Sequence, residues 1–381
     1  MGLTSMSDSV YEHGGPDRLY YVQWLRVLLT ILVVAHHSAD PYVPIGGGDW
    51  SAIVDDPASS DLLQTLFVFN RTFFMGFFFL VSGYFLDASL ARNGPWGVIR
   101  NRLIRLGIPL VVISVFVFGS GFYALYGEGL GYFVYIFRDY IGGGNVEFGH
   151  LWFIAHLLIY AVVYVLLRTL FPMLGTVGSR SDPPGHVAIL IYALAIGAIM
   201  ALVRLTWPID TWVRFFGLVR GEPARMPFYL TLFTIGIIAG RANWFARLPS
   251  SVAVPWFAAG ALIFATLAVL ATPRLAQPDT TFMRIAWGFL EPVVGLGMIL
   301  GLLVLFRRYL ASPGPWLRRL EGNIYGIFLI HLFVVIGLQL ALLDVEWPAL
   351  MKFFAVTIGT LAISYPIIAL LRRIPGVAAV I

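Results

Sequence analysis

Near the start of this 381-residue chain, two residue types that apolar segments rarely tolerate recur at a fixed spacing. In YYVQWLRVLLTILVVAHHSADPY, residues 20–42, Arg26 interrupts an apolar run, and His36 and His37 lie at its end. An ionisable side chain in hydrocarbon costs roughly 3 kcal/mol or more, so such positions are functional candidates. At about 100° per residue, Arg26 and His37 return to one helix face about 16 Å apart, while His36 is turned well away. A neutral imidazole serves as a general base or as a nucleophile. The same pattern also fits an arginine that snorkels to the headgroups and a histidine pair that caps the far interface. This helix alone leaves both readings open.

Other candidates are spread along the chain. In RNRLIRLGIP, residues 100–109, Arg102 and Arg105 stand at i and i+3 on one helix face. Guanidinium pairs suit phosphate binding, although they also serve as simple membrane anchors. MGFFFLVSGYFL, residues 75–86, places Ser82 and Gly83 in an aromatic run, where small residues admit a neighbouring helix or a ligand. GHLWFIAHLL carries His150 and Trp152 at its start and His156 deeper; NIYGIFLIHLFV carries Tyr325 and His331. Glu291, in FLEPVV, is the one carboxylate well inside a hydrophobic run and should pair with a buried arginine or orient a histidine. The seven histidines form no HExxH or H-x3-H pattern with a carboxylate, so no metal site is expected. The absence of cysteine excludes disulfides, thiolate metal sites and a cysteinyl acyl intermediate.

These residues need a membrane scaffold to position them. The chain is 59% hydrophobic and 12% charged, with a mean hydropathy of +0.84, which excludes a soluble enzyme and indicates an all-α polytopic membrane protein. Ten apolar runs, near 20–39, 62–86, 106–126, 150–171, 187–206, 226–243, 253–272, 284–306, 323–343 and 349–371, predict a bundle of about ten transmembrane helices. Arginines before the first run and after the second, fourth, sixth, eighth and tenth all fall on one side, so both termini are expected in the cytoplasm. The opposite loops are acidic or mixed, beginning with Asp40, Asp49, Asp55, Asp56 and Asp61. The loop 207–225 carries Arg214, Arg220, Glu222 and Arg225, read mainly as a solvated surface and alternatively as an acceptor entrance. The expected organisation is a tail over 1–19, a single ten-helix domain over 20–373 and a short tail over 374–381. The polar N-terminus lacks the features of a cleaved signal peptide. Arg-rich inner loops account for the basic pI near 9.4 without any nucleic-acid partner.

Taken in order, the Arg26-x10-His37 pair, FFFLVSGYF, the Arg102–Arg105 pair with GIPL, HLWF, FYLTLFTIGIIAG and IYGIFLIH resemble membrane-bound acyltransferase family 3. The likeness runs from about residue 18 to 376 and is nearest to the glucan succinyltransferase branch, glucan biosynthesis protein C. It implies a multi-pass enzyme of the bacterial inner membrane that takes an acetyl or succinyl group from cytoplasmic acyl-CoA. The implied acceptor is a hydroxyl of an extracytoplasmic carbohydrate or glycolipid, and a homo-oligomer is allowed for.

The resemblance makes Arg26 and His37 the catalytic residues and Arg102 and Arg105 the acyl-CoA binders, without a metal. His36, Ser82, His150, Trp152, Glu291, Tyr325 and His331 remain supporting candidates. Many relatives carry a histidine four residues before the methionine of the second-run motif, where this chain has Arg71. A second-run catalytic role is therefore unsupported. The competing reading is a transporter or flippase using Arg26, His37 and Glu291 as a polar relay.

Overall fold

The computed structural model describes residues 19–45, 53–127, 129–215, 217, 219–276, 278 and 280–381. The expected N-terminal tail, up to residue 18, and Asp49 lie outside the described residues. The ten principal helices are α1 (Tyr20–Ala39), α2 (Asp61–Tyr84), α3 (Leu86–Tyr126), α4 (Gly149–Leu170), α5 (His186–Thr206), α6 (Met226–Arg241), α7 (Ser250–Ala276), α8 (Thr281–Tyr309), α9 (Ile324–Ala341) and α10 (Ala349–Leu371). Among the described residues, nine of them are long and apolar enough to cross a membrane. The exception, α6, has 16 residues, about 24 Å against a hydrocarbon thickness of about 30 Å.

Two stretches depart from the expected pattern. The segment after α2 is not a loop leading to a span at 106. It is helical from Leu86, changes direction at Gly94 and passes through π-helical turns at Leu103–Gly107 and Val112–Phe118. Gly94 adopts φ +67°, which its lack of a side chain permits, and Pro95 follows it. The loop 207–225 contains the only described strands, a hairpin in which Val213–Phe215 (β1) pairs antiparallel with Val219–Gly221 (β2).

Helix starts follow local chemistry. The Ser60 hydroxyl accepts from the Leu63 N–H ahead of α2, and the Thr280 hydroxyl accepts from Met283 N–H ahead of α8. α1 packs against α2, α8, α9 and α10, so most of its faces meet protein rather than lipid. α2 is still more enclosed and is clasped by α6, α7 and α8. The α2–α6 contact depends on glycines: a Cβ at Gly83 would fall 2.1 Å from the Phe233 carbonyl oxygen, and one at Gly236 would fall 2.2 Å from that of Leu80. Such backbone-to-backbone approach is how helices associate where lipid removes the hydrophobic driving force. At the opposite edge, Lys352, the only lysine in the chain, reaches Asp56 at 2.6 Å and pins the segment before α2 to α10.

Gly83→Ala should destabilise the bundle by ~1–3 kcal/mol, because its methyl group meets a backbone oxygen that cannot rotate aside. Thermal unfolding in detergent should show a lowered midpoint, and an unchanged midpoint would contradict the tight α2–α6 contact.

Candidate active site

The last turn of α1 carries His36 and His37 into a cleft, where His150 from α4 joins them, and His331 of α9 lies beside it. The His37 and His331 ring centroids are 5.3 Å apart, those of His331 and His150 are 4.7 Å apart, and those of His36 and His37 are 5.6 Å apart. His36 stacks on Phe67 at 4.0 Å and is buried, whereas His37 is half-buried. Both line the cleft, so His36, expected to be turned away, also faces this space. The reason is tertiary: the cleft wraps around the end of α1 instead of meeting one stripe of it.

The cleft measures about 120 Å³. That is room for a few waters or a short acyl group with one reacting hydroxyl, not for a whole sugar chain. Its walls include Phe74, Met75, Trp152 and Trp212, and its charged lining is Asp40, Arg71, Glu147, Asp210, Arg220 and Glu222. Glu147 is fixed from both sides: Arg220 lies 3.1 Å from Oε2, and the Phe148 and Gly149 N–H groups donate to Oε1 at 3.0 Å each.

Behind this wall lies a network of buried ions. Glu291 Oε2 accepts from Arg204 at 2.5 Å and Oε1 from Arg225 at 2.8 Å; Arg225 also reaches Glu222 at 2.5 Å. Arg71 pairs with Asp210 and lies 3.6 Å from Glu222. Three guanidinium groups thus face three carboxylates, as a low-dielectric interior requires. Burial alone would raise the Glu222 carboxyl, but the Arg225 and Arg71 charges outweigh it and hold the group down at about 2. The expectation that loop 207–225 is a solvated surface is corrected for Glu222 and Arg225, both of which are buried. Their burial follows from the counter-charges Arg71, Arg204 and Glu291 on three helices, a pairing that no local sequence pattern reveals.

The other guanidinium groups gather at the opposite end of α1. Arg102 experiences the charges of both Arg105 and Arg26, so three arginines from α1 and α3 converge. The Tyr325 hydroxyl of α9 donates to the Arg105 carbonyl at 2.5 Å, and the Arg105 guanidinium lies 5.9 Å from its ring. The π-helical turn beginning at Leu103 carries Arg105. π-turns of this kind are frequent at functional sites.

Of the expected site residues, the structure brings His36, His37, His150 and Trp152 into one cleft with His331 beside it, and Arg26, Arg102, Arg105 and Tyr325 into a second cluster. Ser82 and Glu291 belong to neither. Ser82 sits in the last turn of α2 next to the glycine contact, and Glu291 is held by two arginines. His156 is not among the residues that line the cleft; its Nδ1 meets the Trp152 carbonyl at 2.8 Å. Arg71, Glu147, Asp210 and Trp212 were not singled out as site residues by sequence, whereas Arg220 and Glu222 belong to the loop whose alternative reading was an acceptor entrance. The unusual charge density of 207–225 was the available signal.

A family model described as an acyltransferase domain, Acyl_transf_3, matches residues 19–369. No curated protein and no solved structure matches the chain. The match covers nearly the whole chain, which therefore belongs to acyltransferase family 3.

Removing Glu291 would leave Arg204 and part of Arg225 buried without a counter-charge. Glu291→Gln should destabilise the protein by ~3–5 kcal/mol. Size-exclusion profiles and melting of the detergent-solubilised variant should show loss of folded protein, and wild-type behaviour would contradict the network.

Proposed function

We propose that this family 3 acyltransferase moves a short acyl group from cytoplasmic acyl-CoA to a hydroxyl of an extracytoplasmic glycan or related acceptor. The carrying observation is the placement of two clusters at opposite ends of α1: guanidinium groups at one end and imidazoles at the other, about 16 Å apart along the helix. Three like charges close together favour an anion, and CoA supplies phosphates. The arginine-rich loops mark that end as cytoplasmic, with both termini on the same side and the enzyme in the bacterial inner membrane.

In this reading Arg102 and Arg105 grip the CoA phosphates, and Arg26 holds the CoA arm or the acyl carbonyl. His37 takes the proton of the acceptor hydroxyl, and the resulting alkoxide oxygen bonds to the thioester carbonyl carbon. The carbon–sulfur bond then breaks, and the departing thiolate takes the proton from His37. A positioned base of this kind contributes about 10² to 10⁴ in rate. The alternative, transient acylation of His37, uses the same groups. The enclosing helices keep bulk water from hydrolysing the thioester.

The lining also speaks for a polyhydroxylated acceptor. Asp40, Glu147, Asp210 and Glu222 outnumber Arg71 and Arg220, which suits hydroxyl donors better than an anionic partner. Trp152 and Trp212, 5.6 Å apart between centroids, present flat apolar faces of the sort sugar rings pack on. Of the two acyl groups, acetyl or the succinyl of the glucan branch, the acidic lining accommodates acetyl better. The relay reading loses support because Glu291 is bound between Arg204 and Arg225.

His37→Ala should abolish acyl transfer to envelope glycans, read by mass spectrometry of glycans from cells carrying either form, while the variant still inserts and remains monodisperse. Full glycan modification by His37→Ala would overturn the assignment. Replacing Arg102 and Arg105 together with Gln should raise the KM for acyl-CoA by about tenfold or more and leave that for the acceptor unchanged. A rise confined to the acceptor KM would place donor binding elsewhere.

A further inference from the structure

His331 is fully buried near the middle of α9, and its two ring nitrogens differ in what they meet. Nδ1 lies 2.7 Å from the Phe328 carbonyl oxygen. A carbonyl only accepts, so Nδ1 carries the proton and Nε2 is a lone-pair acceptor. Nε2 has no hydrogen-bond partner and no solvent. Leaving such a group unsatisfied is unfavourable in a protein interior.

Two other imidazoles are near enough to matter. His150, 4.7 Å away between centroids, has its Nε2 at 3.0 Å from the Leu329 carbonyl, so its single proton is already engaged and its Nδ1 is another lone pair. His37 lies 5.3 Å away between ring centroids. Two imidazole nitrogens turned toward each other across such a centroid spacing come within about 3 Å. His37 is therefore the side chain with a proton to give to His331.

We propose that His331 is the positioning residue of His37: in the reacting enzyme a turn of the His37 ring lets the lone-pair Nε2 of His331 take up the N–H of one His37 ring nitrogen, which directs the other, unprotonated nitrogen toward the cleft. The backbone carbonyl of Phe328 sets the tautomer of His331, and His331 sets that of His37. The arrangement performs the orienting role that a carboxylate plays in nucleophile–base–acid constellations, with a neutral group. When His37 takes a proton from the acceptor hydroxyl, the bond to His331 becomes charge-assisted and persists. The kinetic consequence rests on the acyl-transfer reading, whereas the hydrogen bond itself does not.

The test compares His331→Leu, which cannot accept a hydrogen bond, with His331→Gln, whose terminal oxygen reaches the position of Nε2. Purified full-length protein is assayed with acetyl-CoA and envelope glycan. His331→Leu should lower kcat by about 10²-fold with both KM values within about twofold, and His331→Gln should recover to within about tenfold of wild type. Equal losses in the Leu and Gln variants would overturn the proposal. Imidazole ¹⁵N spectra of the labelled protein give an activity-independent reading, with the His37 signals identified by their disappearance in His37→Ala. One tautomer in wild type and a mixture in His331→Leu supports the bond; an unchanged His37 tautomer rejects it. Should His37→Ala retain acyl transfer, the catalytic assignment fails while the spectra still decide the role of His331.

Discussion

Glu291 shared between two arginines is the constraint on which the helix arrangement near the cleft depends. A carboxylate inside a hydrophobic helix is tolerated only when its charge is matched, and here Arg204 from α5 and Arg225 from the start of α6 match it. Arg225 in turn holds Glu222, and Glu222 lies beside Arg71 on α2. Four helices and the hairpin segment are thus held at defined separations by charge neutrality rather than by apolar packing, which lipid cannot drive. The rigid wall that results faces the imidazoles.

The other end of the molecule follows the opposite logic. Arg26, Arg102 and Arg105 crowd together, and the electrostatic environment of Arg102 is set partly by its two cationic neighbours. The cluster behind the cleft, by contrast, is held by direct pairs of its arginines with Glu291, Glu222 and Asp210.

α1 and α9 lie side by side and connect the two ends. Arg26 and His37 lie on one helix, Tyr325 and His331 on the other, and the Gln339 amide of α9 donates to the His37 carbonyl at 3.0 Å. The pairing fixes the depth of each imidazole relative to its neighbour within the turn of a helix, which is the precision that proton transfer demands. α1 also contacts α2, α8 and α10, so a helix that would otherwise face lipid along much of its length keeps its polar residues inside the protein.

The amino-acid sequence by itself determined the membrane-spanning class, the ten helices and the shared face of Arg26 and His37, since these depend on apolar run length and on the helical repeat. It also carried enough ordered motifs to place the chain in its family. Which buried charges are paired was decided only by the tertiary structure. Arg71 pairs with Asp210 and Arg204 with Glu291 across long stretches of chain, and nothing in the neighbourhood of any one of these residues reveals its partner. The same holds for His36, for which the helical repeat gives the correct angle but cannot say that the cleft curves around to meet it. Periodicity reports the face a residue occupies on its own helix; what that face meets depends on long-range packing, and that packing exists only once the helices have assembled.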